Sequence, residues 1–345
     1  MYTCMYLNLS ILKIPQKPLY NPLFLSFYRV IKIKHNIKIT IILLAMFLVT
    51  QLIGLAIVGH YQADPSQLPY GLEPPTATEE NAVNFLGNLI IAFIMAIVLV
   101  VILMNIKSVW IMRTWFFIVI TFALGITISA ITRIFKIEIF YYGLPIIATA
   151  LALALAYIKI FKRQIVVHNL TELLIYPGIA AIFVPVLNIF TISALLIIIS
   201  IYDIWAVWHS GIMQKMAKFQ IDKLRIFSGF FVPYADKKTR EKIKTIKQKY
   251  KDKKIPENIA KKKNLKVQLA ILGGGDVIFP IIAAGVFMKT YQNLTATLIV
   301  TLGATLALFY LFFFAKKKKF YPAMPFITTG IFIGMILGRL LLPFL

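Results

Sequence analysis

The chain has 345 residues, of which 60% are hydrophobic, with a mean hydropathy of +0.82 and a formal net charge of +24. A soluble protein of this length cannot bury so much apolar surface, so the composition excludes an ordinary soluble domain. The single cysteine, Cys4, excludes an intramolecular disulfide and any multi-cysteine metal site.

Nine apolar segments are long enough to cross a bilayer core of about 30 Å as helices. They lack the period-two alternation of barrel strands and are about twice as long, which predicts an all-α polytopic membrane protein. The predicted spans are 39–59, 84–104, 110–131, 141–158, 169–187, 189–208, 267–288, 294–315 and 321–342.

These spans divide the chain into four regions. Residues 1–36 form an N-terminal extension of unassigned role, which has no small-residue cleavage site of a signal peptide. Spans 1–6 occupy 37–208, a basic cytoplasmic loop occupies 209–266, and spans 7–9 occupy 267–345.

The basic loop has two parts of different composition. Residues 210–235 mix Met, Phe and Ile with Lys and are expected to lie against the membrane surface. Residues 236–263 are rich in lysine, which is typical of a solvated loop close to anionic headgroups. Nucleic acid is not expected as a partner, because no aromatic interleaving or known motif accompanies the charge.

The distribution of Lys and Arg between the loops predicts the orientation of the chain. With the N-terminus inside, 33 of these residues fall on the inner face and 4 on the outer face. Cytoplasmic loops carry the excess of positive charge. The N-terminus is therefore expected to be cytoplasmic and the C-terminus extracytoplasmic.

Three acidic residues fall inside the predicted spans, where a carboxylate costs several kcal/mol and is usually functional. Glu172 lies near the inner end of span 5 and is expected to be structural or interfacial. Asp203 in span 6 and Asp276 in span 7 lie at similar depth, about 10 Å below the inner surface. Two such neighbouring carboxyl groups would share one proton, as in an aspartic protease. Paired acids in a cation or proton path of a transporter are the alternative.

Asp276 follows three consecutive glycines, Gly273, Gly274 and Gly275. Glycines in this position would allow a peptide backbone to approach the carboxylate closely. Close packing of helices is the other common role of small residues in membranes. Pro280 cannot donate a helical hydrogen bond to the Asp276 carbonyl, so span 7 is expected to be loosened or kinked there.

Three short motifs resemble those of the presenilin and signal peptide peptidase family of intramembrane aspartyl proteases. The stretch 273–276 fits the family's GxGD motif, Tyr202 and Asp203 fit its YD motif, and PAMP at 322–325 is similar to its PAL motif. The motifs occur in order on spans 6, 7 and 9, and the resemblance covers about 37–345. The nine-span topology with the N-terminus inside is also similar to presenilin.

The resemblance implies that Asp203 and Asp276 are the catalytic pair. It also implies a set of residues that contact the substrate: Tyr202, Gly273, Gly274, Gly275, Pro322, Ala323 and Met324. Met324 stands where the family has leucine, a change that preserves most of the volume and is expected to alter substrate preference.

The sequence therefore predicts an intramembrane aspartyl endopeptidase. Its substrates would be transmembrane helices, such as signal-peptide remnants or single-span proteins, and no metal or organic cofactor is expected. The four separate histidines form no HExxH site, and no GxSxG motif is present. A cation transporter or leak channel using Asp203 and Asp276 is the alternative, but it gives no reason for the YD and PAMP motifs. The resemblance leaves oligomeric state and accessory subunits open.

Overall fold

A computed structural model of the chain describes residues 37–72, 109–162, 164–210, 228–234, 268–314 and 321–344, with isolated helical residues between 87 and 98. Several predictions lie outside these residues: the extension 1–36, most of predicted span 2 at 84–104, and most of the basic loop 209–266.

The described part of the chain is predominantly helical. Its helices are α1 (Ile37–Ala63), α2 (Val109–Ile134), α3 (Ile146–Tyr157), α4 (Ile165–Val186), α5 (Ile189–Trp205), α6 (Gly274–Tyr291), α7 (Leu294–Phe314) and α8 (Met324–Leu341). Its strands form two antiparallel pairs, β1 (Phe140–Tyr141) with β2 (Leu144–Pro145), and β3 (Gly229–Tyr234) with β4 (Gln268–Gly273). Six of the described helical segments are long and apolar enough to cross a membrane.

Predicted spans 4 and 7 are wrong at their starts. The sequence predicts span 4 from 141, but β1 and β2 precede α3, which begins at Ile146. Span 7 was predicted as a helix from 267, but Gln268–Gly273 is strand β4 and the helix begins at Gly274. The apolar run before the glycines pairs with a distant strand, and such pairing overrides a local helical pattern.

Three helices form the centre of the described structure. Helices α1, α4 and α6 pack against one another, α2 and α3 pack together beside α4, and α5 contacts both α6 and α8. Two glutamines of α1 bind α6: Gln51 Nε2 donates to the Val277 carbonyl at 2.9 Å, and Gln62 Nε2 donates to the Gly285 carbonyl at 3.0 Å. Hydrogen bonds of this kind join helices where lipid supplies no competing water. They hold α6, and with it Asp276, against the centre.

Helices α7 and α8 approach each other through glycines. A Cβ atom built on Gly330 of α8 would lie 2.3 Å from the carbonyl oxygen of Gly303 of α7. No side chain fits at that distance, so both glycines are needed for the close approach. This packing fixes the position of α8, which begins at Met324, relative to α7.

An ion pair is buried where α3 meets α4. Lys159 follows α3 in a π-helical turn, and its Nζ lies 2.5 Å from Oε1 of Glu172 on α4. Lys159 Nζ also donates to Thr171 Oγ1 at 3.2 Å, and both charged residues are almost completely buried. Glu172 is thus structural rather than interfacial, because a carboxylate inside the protein needs a cation beside it.

Replacing Gly330 with alanine is expected to lower the free energy of unfolding by about 1–3 kcal/mol, because the added methyl group overpacks the interface between α7 and α8. Gly59→Ala is the matched control, since among the described residues a Cβ there would meet only Met288 Cε, at 3.5 Å. The midpoints of thermal unfolding in detergent micelles compare the two variants. Equal midpoints would contradict the close packing at Gly330.

Replacing Lys159 with methionine is expected to lower the free energy of unfolding by about 3–5 kcal/mol, because the Glu172 carboxylate would stay buried without its cation. The double variant Lys159→Met/Glu172→Leu should recover most of the loss, since apolar side chains can replace both members of a buried pair. Thermal unfolding in the same detergent tests both. A double variant no more stable than the single one would argue against the ion pair.

Candidate active site

The structure brings Asp203 and Asp276 together in the protein interior. Asp203 lies in the last turn of α5 and Asp276 in the first turn of α6, and both have an exposed fraction of 0%. Helices α5 and α6 are in contact, and the two carboxyl groups interact electrostatically across that contact. The two acids therefore lie near each other at the contact between α5 and α6.

Asp276 owes its setting to the helix that starts just before it. The backbone N–H groups in a first helical turn have no partner within the helix, and the helix dipole is positive there. An acidic side chain in that turn is therefore stabilised. Helix α6 continues through Pro280, which has no N–H to bond the Asp276 carbonyl.

The PAMP segment lies against Asp203. Pro322, Ala323 and Met324 are buried, Ala323 caps α8, and the Met324 N–H donates to Asp203 Oδ2 at 3.1 Å. The other oxygen, Asp203 Oδ1, accepts no hydrogen bond from the described residues. One oxygen is thus held by the start of α8, while the second is left for another group.

A second polar contact joins the same two helices one helical turn away from Asp203. Ser200 Oγ donates to Thr328 Oγ1 at 2.8 Å, and both side chains are buried. Ser200 precedes Asp203 by one turn of α5, and Thr328 follows Met324 by one turn of α8. The pair therefore sets the register in which the Met324 N–H reaches Asp203.

The three glycines before Asp276 have different surroundings. Gly273 is the last residue of β4 and is buried, and Gly275 is partly buried. A Cβ on Gly274 would lie 2.7 Å from Tyr176 Oη and 2.6 Å from Ser228 Oγ. The missing side chain of Gly274 therefore makes room for the protein's own residues, rather than for an approaching peptide.

Tyr202 lies beside Asp203 on α5 and is partly buried. Its ring lies 6.3 Å from the ring of Trp205, measured between centroids. The structure thus keeps Tyr202 next to the paired acids, with part of its ring accessible.

Sequence reasoning missed the residues that pack behind the glycines. Tyr176 of α4 is buried and makes an edge-to-face contact with Phe230 of β3, at 5.9 Å between ring centroids. The segment 210–235 was expected on the membrane surface, but its described part forms β3, with Phe230 completely buried. The run of Phe, Phe, Val and Tyr after Gly229 was the signal for a strand.

The arrangement supplies acid and base groups. Among the described residues, no group of three or more His, Cys, Asp and Glu side chains could hold a metal ion. Two neighbouring carboxyl groups that share a proton can donate it at one oxygen and accept one at another. The geometry therefore suits the hydrolysis of an unreactive bond by general acid–base chemistry.

Comparison with known proteins gives a family and a fold. The family model described as signal-peptide peptidase, presenilin aspartyl protease matches residues 44–343. Two solved structures of a presenilin family intramembrane aspartate protease, in space groups P2 and C222, match with TM-scores of 0.54 and identities of 18% and 17%. The matches cover 87% and 88% of this chain and 96% and 99% of those chains. No individually curated protein matches. The match over 44–343 shows that this multi-pass membrane protein belongs to the signal-peptide peptidase and presenilin family of aspartyl proteases.

Proposed function

We propose that Asp203 and Asp276 are the catalytic pair with which this intramembrane aspartyl protease hydrolyses peptide bonds inside transmembrane helices. The observation that carries the proposal is the burial of the two interacting carboxyl groups where α5 meets α6. The substrate class is signal-peptide remnants or single-span membrane proteins. Family membership favours this function over a cation transporter that would use the same two acids.

In the proposed reaction, the pair holds one proton before the substrate is attacked. The ionised carboxylate takes a proton from water, and the water oxygen attacks the scissile carbonyl carbon while the protonated carboxyl donates to the carbonyl oxygen. The first carboxyl then passes its proton to the amide nitrogen, and the C–N bond breaks to release the amine. The second carboxylate takes a proton back from a hydroxyl of the tetrahedral intermediate, which becomes the product carboxylic acid, so the pair again holds one proton. Asp203 Oδ2 is held by the Met324 N–H, so Asp203 Oδ1 is the oxygen that faces the reaction.

The substrate helix must unwind locally before this chemistry, because a hydrogen-bonded helical amide is closed to attack. We infer that the unwound segment adds as a strand beside β4, whose last residue, Gly273, leads directly to the helix that carries Asp276. Ala270, Ile271 and Leu272 of β4 are buried, so this edge has to open before the substrate enters. On the Asp203 side, Pro322, Ala323 and Met324 would border the substrate, with Tyr202 beside them.

The proposed topology has nine spans, a cytoplasmic N-terminus and an extracytoplasmic C-terminus. The excess of Lys and Arg on the inner loops supports this orientation. Both aspartates would then lie below the inner surface, and water would reach them from that side. The Lys-rich loop between spans 6 and 7 would lie close to anionic lipid headgroups.

Replacing either aspartate with asparagine is expected to reduce cleavage on the order of 10³-fold or more, because the amide can neither accept nor donate the catalytic proton. The variants Asp203→Asn and Asp276→Asn are compared with wild type in liposomes that contain a tagged single-span peptide. Mass spectrometry identifies the products, and thermal unfolding checks that each variant is folded.

Cleavage retained by either aspartate variant would contradict the assignment of Asp203 and Asp276 as the catalytic pair. Cation flux through the same liposomes, lost in both variants and present without any proteolysis in wild type, would indicate the transporter instead.

Replacing Gly274 with alanine is expected to lower kcat by about 10- to 100-fold, because the new methyl group collides with Tyr176 and Ser228 and moves Asp276. Gly285→Ala lies in the same helix, and its methyl group would meet a Val184 methyl at 2.8 Å, away from Asp276. Kinetics with the single-span peptide compare the two variants. An equal loss of kcat in both would show that general disturbance of α6, rather than displacement of Asp276, is responsible.

A further inference from the structure

One face of α4 carries polar side chains that the proposed hydrolysis does not use. His168, Glu172 and Tyr176 are four residues apart, so they lie above one another on the same face and extend over about 12 Å. His168 is next to β3, Glu172 holds Lys159, and the Tyr176 hydroxyl abuts Gly274. This face therefore connects the two-stranded sheet to the first turn of α6.

The side chain of Asn169 binds the backbone of β3 as a neighbouring strand would. Its Nδ2 donates to the Phe231 carbonyl at 2.8 Å, and its Oδ1 accepts from the Phe231 N–H at 2.9 Å. His168 Nε2 lies 2.8 Å from the Gly229 carbonyl, and its ring stacks on Phe231 at 4.7 Å between centroids. A carbonyl only accepts, so Nε2 must carry the hydrogen.

These contacts occupy the outer edge of β3. In an antiparallel pair, the backbone groups of alternate residues point toward the partner strand and away from it. Phe231 binds Asn169, so Gly229, Phe231 and Pro233 are the residues whose backbone groups point away from β4. The carbonyl of Gly229 and both groups of Phe231 are engaged, and Pro233 has no N–H. A third strand therefore cannot pair along this edge.

We propose that His168 and Asn169 are positioning residues that close the outer edge of β3, direct the substrate strand to β4 and fix its register relative to Asp276. The inference rests on the proposed function, because it concerns how that substrate is held. A slip of one residue moves the chain by about 3.3 Å and turns its side chains to the opposite face. The side chains that hold the sheet thus select the bond that is cut.

Asn169→Leu tests the positioning role, because leucine has a similar size and neither donates nor accepts a hydrogen bond. Asn188→Leu is the matched control, since Asn188 caps α5 by accepting from the Thr191 N–H at 2.8 Å, remote in sequence from the sheet contacts. We expect Asn169→Leu to lower kcat/KM about tenfold and to change the ratio of products that differ in cut position. Asn188→Leu should lower the unfolding midpoint but keep the wild-type ratio.

Two further variants cover the case in which Asn169→Leu does not fold. Asn169→Asp keeps the acceptor for the Phe231 N–H and loses the donor, and His168→Phe keeps the ring stacking and loses the bond to Gly229. Each is expected to give a smaller shift in the product ratio. Wild-type product ratios and kcat/KM in every folded variant would overturn the positioning role.

Amide hydrogen exchange separates this inference from the proposed function. Loss of the contacts between Asn169 and Phe231 should speed exchange in 229–234 and 268–273 by about tenfold in Asn169→Leu, and by much less in Asn188→Leu. If wild type cleaves no peptide, the proposed function fails, while exchange still tests whether Asn169 holds the two strands. Unchanged exchange in both strands would overturn the inference even if wild type cleaves.

Discussion

The structure depends on keeping two carboxyl groups together where neither water nor lipid can solvate a charge. Asp203 and Asp276 are completely buried and interact with each other. Three helix ends meet around them: α5 ends just after Asp203, α6 begins just before Asp276, and α8 begins with the N–H that binds Asp203. The N-termini of α6 and α8 bring backbone N–H groups that lack a partner within their own helices, together with positive dipole ends, to the two acids.

A helix N-terminus can lie beside Asp276 only because β4 is a strand rather than the first turns of a helix. If span 7 were helical from 267, Asp276 would lie in the interior of a helix, where the backbone N–H groups are already bonded. The break at Gly273 places Asp276 in a first turn. Gly274 then lets Tyr176 and Ser228 close in behind that turn. Strand, glycine and acid are therefore parts of one arrangement.

A second group of buried polar side chains supports the first from α4. Lys159 and Glu172 neutralise each other, and the same face of α4 holds β3 through His168 and contacts Gly274 through Tyr176. Buried polar groups are costly unless they are satisfied, and this geometry pairs Lys159 with Glu172 and His168 with the Gly229 carbonyl. That property makes α4 a rigid support for the sheet beside the candidate site.

The place of the PAMP segment near the acids was expected only from the resemblance to a family. The sequence by itself determined the membrane class, most of the spans and the two acids within them. These follow from local patterns, because a long apolar run needs no partner to be recognised and a buried acid is conspicuous within it. Only the tertiary structure decided that β3 pairs with β4, that Lys159 pairs with Glu172, and that Tyr176 fills the space at Gly274. Each is a contact between residues from different segments of the chain. Hydrophobic periodicity describes one segment at a time, so it could not show which distant segment would satisfy the backbone and side-chain groups of another.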